Sequence, residues 1–578
     1  MSRHVRFAQL ALALVMALSL LGVGGAAAQE VPREETLIVA FEGGPAAAAD
    51  VFNPFVPGSA GLSRGLHQAV IEHLFYLNYE TGETVPWLAE SFETNADFTE
   101  YTIKLREGIE WSDGEPFTAA DVAFTYNMLR DNPTLSWGAG FQTWVKSAEA
   151  VDDLTVKITL NKTNPRFILQ YLSCEIWGGP PIVPQHIWEG QDPTTFRFET
   201  PVFTGAYTLT QATTTEFIFD RNDNWWGAKT GFHALPAPKR VIFVDQGPEE
   251  RRAAMIQNNE VDSLPLLSIG AFEAVKAQNP NVIGWSEESP YAYIDPCPHY
   301  FEFNTTVAPW DDPEMRWMLS NTIDRQRMAD LVFEGTGVSG VWDFPAYPPL
   351  NAYLEGIQDL FEQYPLGQDL DKAAQILESK GYTKNADGKW ADASGNPLVV
   401  RLMMLRPDEG GIVWGTSTSA LSEMFEEAGL TVEVNALSIA AFQEAMAVGD
   451  FEVRMGWACG STVDPYGRLD YYNARWVMPI GERASYNDGR WSNEEYSAVV
   501  DEMGTLPPGD EGLKPLFHQA AETFLKELPA FGLYQQLRIN PFNNTYWTNW
   551  PTVTNNYVQP PSWWAQTYLI IMELQPAQ

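Results

Sequence analysis

The chain is poor in the residues that carry covalent and metal chemistry. Across 578 residues there are three cysteines and seven histidines. Cys174, Cys297 and Cys459 allow at most one disulfide and leave one thiol over, and their spacing does not choose the pair. His67 and His73 lack zinc-type spacing, and with neither a histidine cluster nor paired cysteines a zinc or nickel centre is not expected, nor any other cofactor. No G-x-S-x-G, G-x-x-x-x-G-K-[ST] or H-E-x-x-H occurs, which removes the motif-based hydrolase, nucleotide-loop and zinc-protease readings. Positive charge is also scarce: 36 Lys and Arg stand against 75 Asp and Glu, a formal net charge of −39. Such a field repels phosphate backbones and anionic lipid headgroups, so nucleic acid and membrane surfaces are disfavoured as partners.

Apart from the N-terminus there is no long apolar run. Arg3 and Arg6, an apolar stretch over 10–23 and Ala26-Ala27-Ala28 before Gln29 read as a secretory signal covering 1–28. The stretch is short for a membrane anchor and ends at Gly22, Gly24 and Gly25. No cysteine lies beside the cleavage site to take a lipid, so an exported, periplasmic, soluble protein is expected. Removing the leader takes two arginines and no acid, and the formal charge becomes −41. The length is too great for one core, and 45% hydrophobic content supports two or more lobes.

Local patterns place the elements. Tyr101, Ile103 and Leu105 alternate with Thr102 and Lys104, as in a strand with one buried face. Asp113-Gly114 marks a tight turn, and Thr118 with Asp121 reads as a capping box opening a helix that buries Val122, Tyr126 and Leu129. Strands are expected at 36–41, at Leu154, Val156, Ile158 and Leu160, and at 240–244. Helical spacing is read at 66–77, 248–258, 421–429 and 514–528. Asp312-Pro313-Glu314 sets a helix start, and Gly449 stops a helix before a strand carrying Val453, Met455 and Trp457. Repeated helix–strand alternation of this kind is that of an α/β protein.

The run Leu105-Arg106-Glu107-Gly108-Ile109, then Trp111-Ser112-Asp113-Gly114-Glu115-Pro116-Phe117-Thr118-Ala119 and Asp121-Val122, resembles the signature of the family 5 extracellular solute-binding proteins, receptors of peptide, nickel and opine type ABC importers. Further segments are similar to that family: 205–209, 222–227, Asn259-Glu260-Val261-Asp262, and Asp312-Pro313-Glu314 followed by Arg316, Ile323-Asp324-Arg325 and Gly335. The resemblance implies a two-lobe, Venus-flytrap α/β fold with an additional subdomain on the first lobe and two hinge-crossing strands, near 300–304 and 528–535. It implies a first lobe of 29–68, 200–298 and 530–578, an extra subdomain of 69–199 and a second lobe of 299–529. The implied function is that of a monomeric receptor, not an enzyme, that captures a solute and hands it to a permease and its ATPase. The segment Gly456-Trp457-Ala458-Cys459-Gly460-Ser461 before Asp464-Pro465 resembles the family's cleft edge, so Trp457, Ala458, Cys459, Gly460 and Ser461 are candidate ligand contacts. Asn53, Phe55, Asn304 and Tyr291 join them from their places near the first-lobe turn and the crossing. Asp464 reads as a turn or cap residue whose carboxylate accepts backbone N–H bonds.

For the ligand, the resemblance implies an oligopeptide or dipeptide, whose ammonium is held in the peptide-binding members by an Asp four residues before the Pro of this segment. Here that position is Ser461, with Gly460 before it, so the charge a buried ammonium requires is absent there. With 21 Trp to cover the apolar faces of sugar rings, a short neutral oligosaccharide is the expected ligand. A haem or small-peptide receptor stays open. A secreted glycoside hydrolase is the rival from another class; it would need two carboxyls about 5 to 10 Å apart, and no eightfold period suggesting a barrel is present.

Overall fold

A computed structural model describes residues 31–42, 44–59, 62–176, 178–335, 337–340, 344, 347–459, 462–560 and 564–578. The expected leader, Gly460 and Ser461 lie outside the described residues. The fold is the expected two-lobe α/β architecture. In the first lobe Thr36–Phe41 runs parallel to Arg240–Asp245, and Glu216–Arg221 and Tyr207–Ala212 extend the sheet antiparallel. The first strand is apolar at nearly every position because both of its faces are covered. Ala40 meets Ile256 and Phe272 from helices Glu249–Gln257 and Ile269–Gln278 on one side. Leu37, Val39 and Phe41 enter the large core with Phe219 and Phe243 on the other.

That same core runs without a break into the additional subdomain. Its antiparallel sheet has the order Ala89–Thr94, Glu100–Leu105, Thr155–Leu160, Val145–Asp152, and helix Ala119–Asp131 lies on it. The capping box forms: the Ala120 amide donates to Thr118 Oγ1 and the Thr118 amide to Asp121 Oδ2 at 2.8 Å. Val122, Tyr126 and Leu129 are buried under it. One expected helix is cut short. Residues 66–77 are helical only as far as Leu62–Val70 reaches, and Phe75–Leu77 is a strand paired with Thr84–Pro86 and Ser173–Cys174. Gly65 breaks the helical geometry at φ +115°, where a Cβ would stand 2.2 Å from the Phe219 ring.

The second lobe is built on six strands in the order Val338–Ser339, Ala530–Gln535, His299–Phe303, Val453–Trp457, Val399–Leu405, Thr431–Leu437. Phe301 and Phe531 stack at 5.3 Å on one face, with Phe303 and Trp310 beside them. On the other face Arg454 is buried against Glu302 and Asp488, its Nη2 lying 3.0 Å from Asp488 Oδ2 and 2.9 Å from the Tyr300 hydroxyl.

The lobes are joined where Tyr293–Ile294 pairs antiparallel with Leu537–Arg538. The pairing resumes at His299 opposite Tyr534. The chain therefore crosses at 295–298 and 536, not at 300–304 and 528–535. His299–Phe303 and Ala530–Gln535 are interior strands of the second-lobe sheet, the latter buried at all six positions. Their largely apolar character, broken by Glu302 where it pairs with Arg454, reflects two covered faces, and the Asp295-Pro296-Cys297-Pro298 segment is the connector.

Replacing Arg454 by Met leaves Glu302 and Asp488 buried without their cation, and should cost about 3–5 kcal/mol. Urea unfolding followed by Trp fluorescence measures it; a loss below about 1 kcal/mol would show that the carboxylates find other partners.

Candidate functional site

Against this hinge ribbon lies a cavity of about 270 Å³ between the lobes. Glu42 reaches it from the end of the first strand, Asp295 and Cys297 from the incoming crossing, and Gln536 and Arg538 from the outgoing one. His299 and Trp457 come from adjacent second-lobe strands, and Trp564 from the C-terminal segment. The disulfide Cys297–Cys459, with Cα atoms 4.3 Å apart, ties the crossing to the end of the Trp457 strand. The Ala458 amide adds a bond to Pro298 O at 3.0 Å. Cys174 is the thiol left over, and it is buried.

The charges in the cavity are paired. Arg538 binds Asp295 Oδ2 at 3.0 Å and Glu42 Oε1 at 3.1 Å. Burial works against its charge, but the two carboxylates outweigh it and hold the guanidinium above its ordinary value. Asp295 also accepts the Cys297 amide at 2.8 Å. The apolar side is Trp457, whose indole is 43% exposed. Trp414 meets it edge-on at 5.7 Å and is held by Phe442 and His299. Burial pushes the His299 imidazole down to about 4, so it is neutral.

A second contact closes the lobes at the far side. Arg166, on the extra subdomain, donates to Asp464 Oδ2 through Nε at 2.8 Å, with Nη2 2.6 Å from the same oxygen as an ion pair, and both side chains are nearly fully buried. Arg166 also donates to Leu506 O at 2.9 Å and stacks over Tyr466 at 4.3 Å. Asp464 Oδ1 accepts the Tyr466 amide at 3.2 Å, so the residue makes the turn bond the sequence led us to expect, and the interlobe pair in addition. Between the two contacts, Tyr347 of the second lobe packs on Tyr79 and Tyr293 and donates to Ile294 O at 3.2 Å.

Of the residues singled out in the sequence, the structure brings Trp457 and Cys459 to the cavity, while Ala458 between them packs against a second-lobe core cluster that includes Tyr300 and Leu469. The other four described residues lie elsewhere. Asn53 is buried, donates to Pro193 O and Phe196 O, and accepts the Phe55 amide at 2.9 Å. Phe55 is core, edge-on to Trp188 at 5.6 Å. Asn304 holds Gly449 O at 3.0 Å and accepts from Thr306, and Tyr291 packs on Phe272 under Lys276. The two asparagines each accept an amide two residues on through Oδ1, as turn asparagines commonly do, and donate through Nδ2 to carbonyls of distant loops. Glu42, Asp295, His299, Arg538 and Trp564 were not anticipated. The Pro-flanked Asp295 and an Arg just past the return strand were the available signals.

A two-lobe molecule with a hinge ribbon, an interlobe cavity and a partly exposed Trp in it has the construction of a solute receptor. The profile of the bacterial extracellular solute-binding proteins, family 5 Middle, matches residues 83–477, and the chain belongs to that family: it is a solute-binding receptor of an ABC importer. It is 23% identical over 500 residues to the oligopeptide-binding protein OppA of Bacillus subtilis, covering 83% of this chain and 84% of the relative. It shares its fold with the periplasmic oligopeptide-binding protein of an oligopeptide ABC transporter of Thermotoga maritima, with a TM-score of 0.82 at 23% identity over 94% of this chain and 100% of that one. The mannohexaose-bound structure of the same Thermotoga protein gives a TM-score of 0.76 at 23% identity, over 95% and 99%. No helix among the described residues is long and apolar enough to cross a membrane.

The neutral His299 sets a pH dependence. Its pKa in the fold, about 4, lies below the ordinary 6.5, so the unfolded chain takes up the proton more readily. Its contribution to stability is intact above pH 6.5 and is lost as pH falls toward 4. His299→Gln should flatten that part of the curve, measured as the urea midpoint at pH 7.5 and 5; equal losses in both proteins would contradict it.

Proposed function

We propose that the protein captures a short neutral oligosaccharide between its lobes, outside the cytoplasmic membrane, and delivers it to a membrane permease. The observation that carries this is the Trp457 indole, presented on the cavity wall by Trp414 opposite the Glu42–Arg538–Asp295 network. An indole face covers the apolar face of a sugar ring, while paired charges offer hydrogen bonds to its hydroxyls. Both described carboxylates lining the cavity are already paired with Arg538, which leaves a ligand ammonium to compete with a guanidinium for them. The mannohexaose-bound Thermotoga protein supports the reading in one respect: the shared fold accommodates a hexasaccharide. The N-terminal leader pattern and the strong acidity fit an exported protein, and the two lobes of one chain supply both walls of the cavity, so a monomer suffices.

Calorimetric titration of ligand-free protein with mannohexaose and with β-linked di- and trisaccharides, and with di- to pentapeptides, tests it. Micromolar sugar binding with no peptide response is expected. Trp457→Ala should weaken sugar binding about ten- to a hundredfold, the share of roughly 60–100 Å² of stacked surface. Micromolar peptide binding without a sugar response would replace this reading by the oligopeptide one.

A further inference from the structure

Glu175 stands out among the half-buried groups. It follows strand Ser173–Cys174 at a tight turn, where its backbone exchanges bonds with Gly178 at 3.2 and 3.0 Å. Its side chain lines a narrow interlobe crevice of about 30 Å³ with Gln170, Thr462 and the Arg166–Asp464 pair. The crevice and the main cavity flank one second-lobe segment: Cys459 lines the cavity, and Thr462 lines the crevice. Ile176, the next residue, packs in the same aromatic cluster as Trp564.

The carboxyl of Glu175 has no hydrogen-bond or ion-pair partner among the described residues. Arg166, the cation in the crevice, is committed to Asp464 and to the carbonyls of Met503 and Leu506. The other titratable neighbours, Tyr79, Tyr171 and Cys174, are all held in their protonated forms by burial. Glu72 shows what a structural carboxylate looks like in this molecule: fully buried, where Glu175 is half-buried, it accepts from Trp87 Nε1 at 2.9 Å, Trp226 Nε1 at 2.8 Å and the Tyr568 hydroxyl at 2.6 Å. A group with no such cage, facing a crevice that both lobes form, is placed to meet a ligand.

We propose that Glu175 is a ligand-recognising residue at the far end of the cleft, where its carboxyl exchanges hydrogen bonds with a hydroxyl of the bound solute. This rests on the oligosaccharide reading and adds a position to it. Burial pushes the group up to about 8, so near neutral pH it is a carboxylic acid, one donor and one acceptor, which is the complement of an alcohol. An ammonium would offer donors alone.

The test is calorimetry with mannohexaose and with trialanine on the wild type, Glu175→Gln and Glu175→Leu. Glu175→Gln, which keeps a donor and an acceptor, should hold mannohexaose within about threefold; Glu175→Leu should lose at least tenfold. The ligand-free melting temperature of each variant should not fall below that of the wild type, since no partner is lost. Unchanged sugar affinity in Glu175→Leu would overturn the Glu175 position and leave the sugar reading standing. Peptide binding abolished by both variants would show an ammonium-binding carboxylate and overturn the hydroxyl role and the sugar reading together. Binding of neither probe to the wild type would overturn both, and a marked fall in the melting temperature of both variants would show a structural carboxyl.

Discussion

The antiparallel pairing of the two crossing segments is the constraint on which the rest of this molecule depends. Tyr293–Ile294 and Leu537–Arg538 are about 240 residues apart in sequence, yet their ladder sets the line along which the lobes meet. Asp295 follows one strand directly and Arg538 lies in the other, so the pairing itself brings them within 3.0 Å and adds Glu42 from the first-lobe sheet. The Cys297–Cys459 disulfide then fixes the end of the Trp457 strand to the same ribbon. One edge of the cleft is thereby built into the fold.

The opposite edge is held differently. Arg166 and Asp464 meet across the lobes as a buried ion pair, and such pairs gain little net stability because the lost hydration nearly matches the attraction. What they supply is register: the fork of Arg166 accepts one alignment of Asp464, the Met503 and Leu506 carbonyls and the Tyr466 ring. A contact that is specific yet close to balanced in energy suits a motion that must reverse. On the function proposed above, a solute that touched Trp457 on one lobe and the Glu42–Arg538 network on the other would add the differential affinity that shifts the equilibrium toward closure. Arg454 makes the contrast, since its charge is buried within one lobe with two carboxylates and a tyrosine hydroxyl, and nothing there needs to open.

Local signals were legible in the sequence. The Thr118–Asp121 capping box, the Asp312-Pro313 start and the Gly449 stop each depend on residues a few positions apart, and each is present as read. The placement of Trp457 beside the interlobe cavity was legible because it ends a strand in a recognisable segment. The hinge position was not, because an apolar run such as Ala530–Gln535 reads alike as a crossing strand and as an interior strand. Only its neighbours on both sides decide. Asn53 and Asn304 show the same limit from the polar side: nothing near them in the chain indicates that their amides hold the carbonyls of Pro193, Phe196 and Gly449. Glu42, Arg538 and Glu175 acquire meaning only from partners, or the lack of them, far away in the chain.

On the function proposed above, solute binding draws the lobes together about the crossing ribbon. Small-angle scattering of the ligand-free protein and of the protein saturated with mannohexaose, with occupancy verified by calorimetry on the same sample, measures this directly. A smaller radius of gyration with sugar bound is the predicted result. An unchanged radius at full occupancy would contradict it.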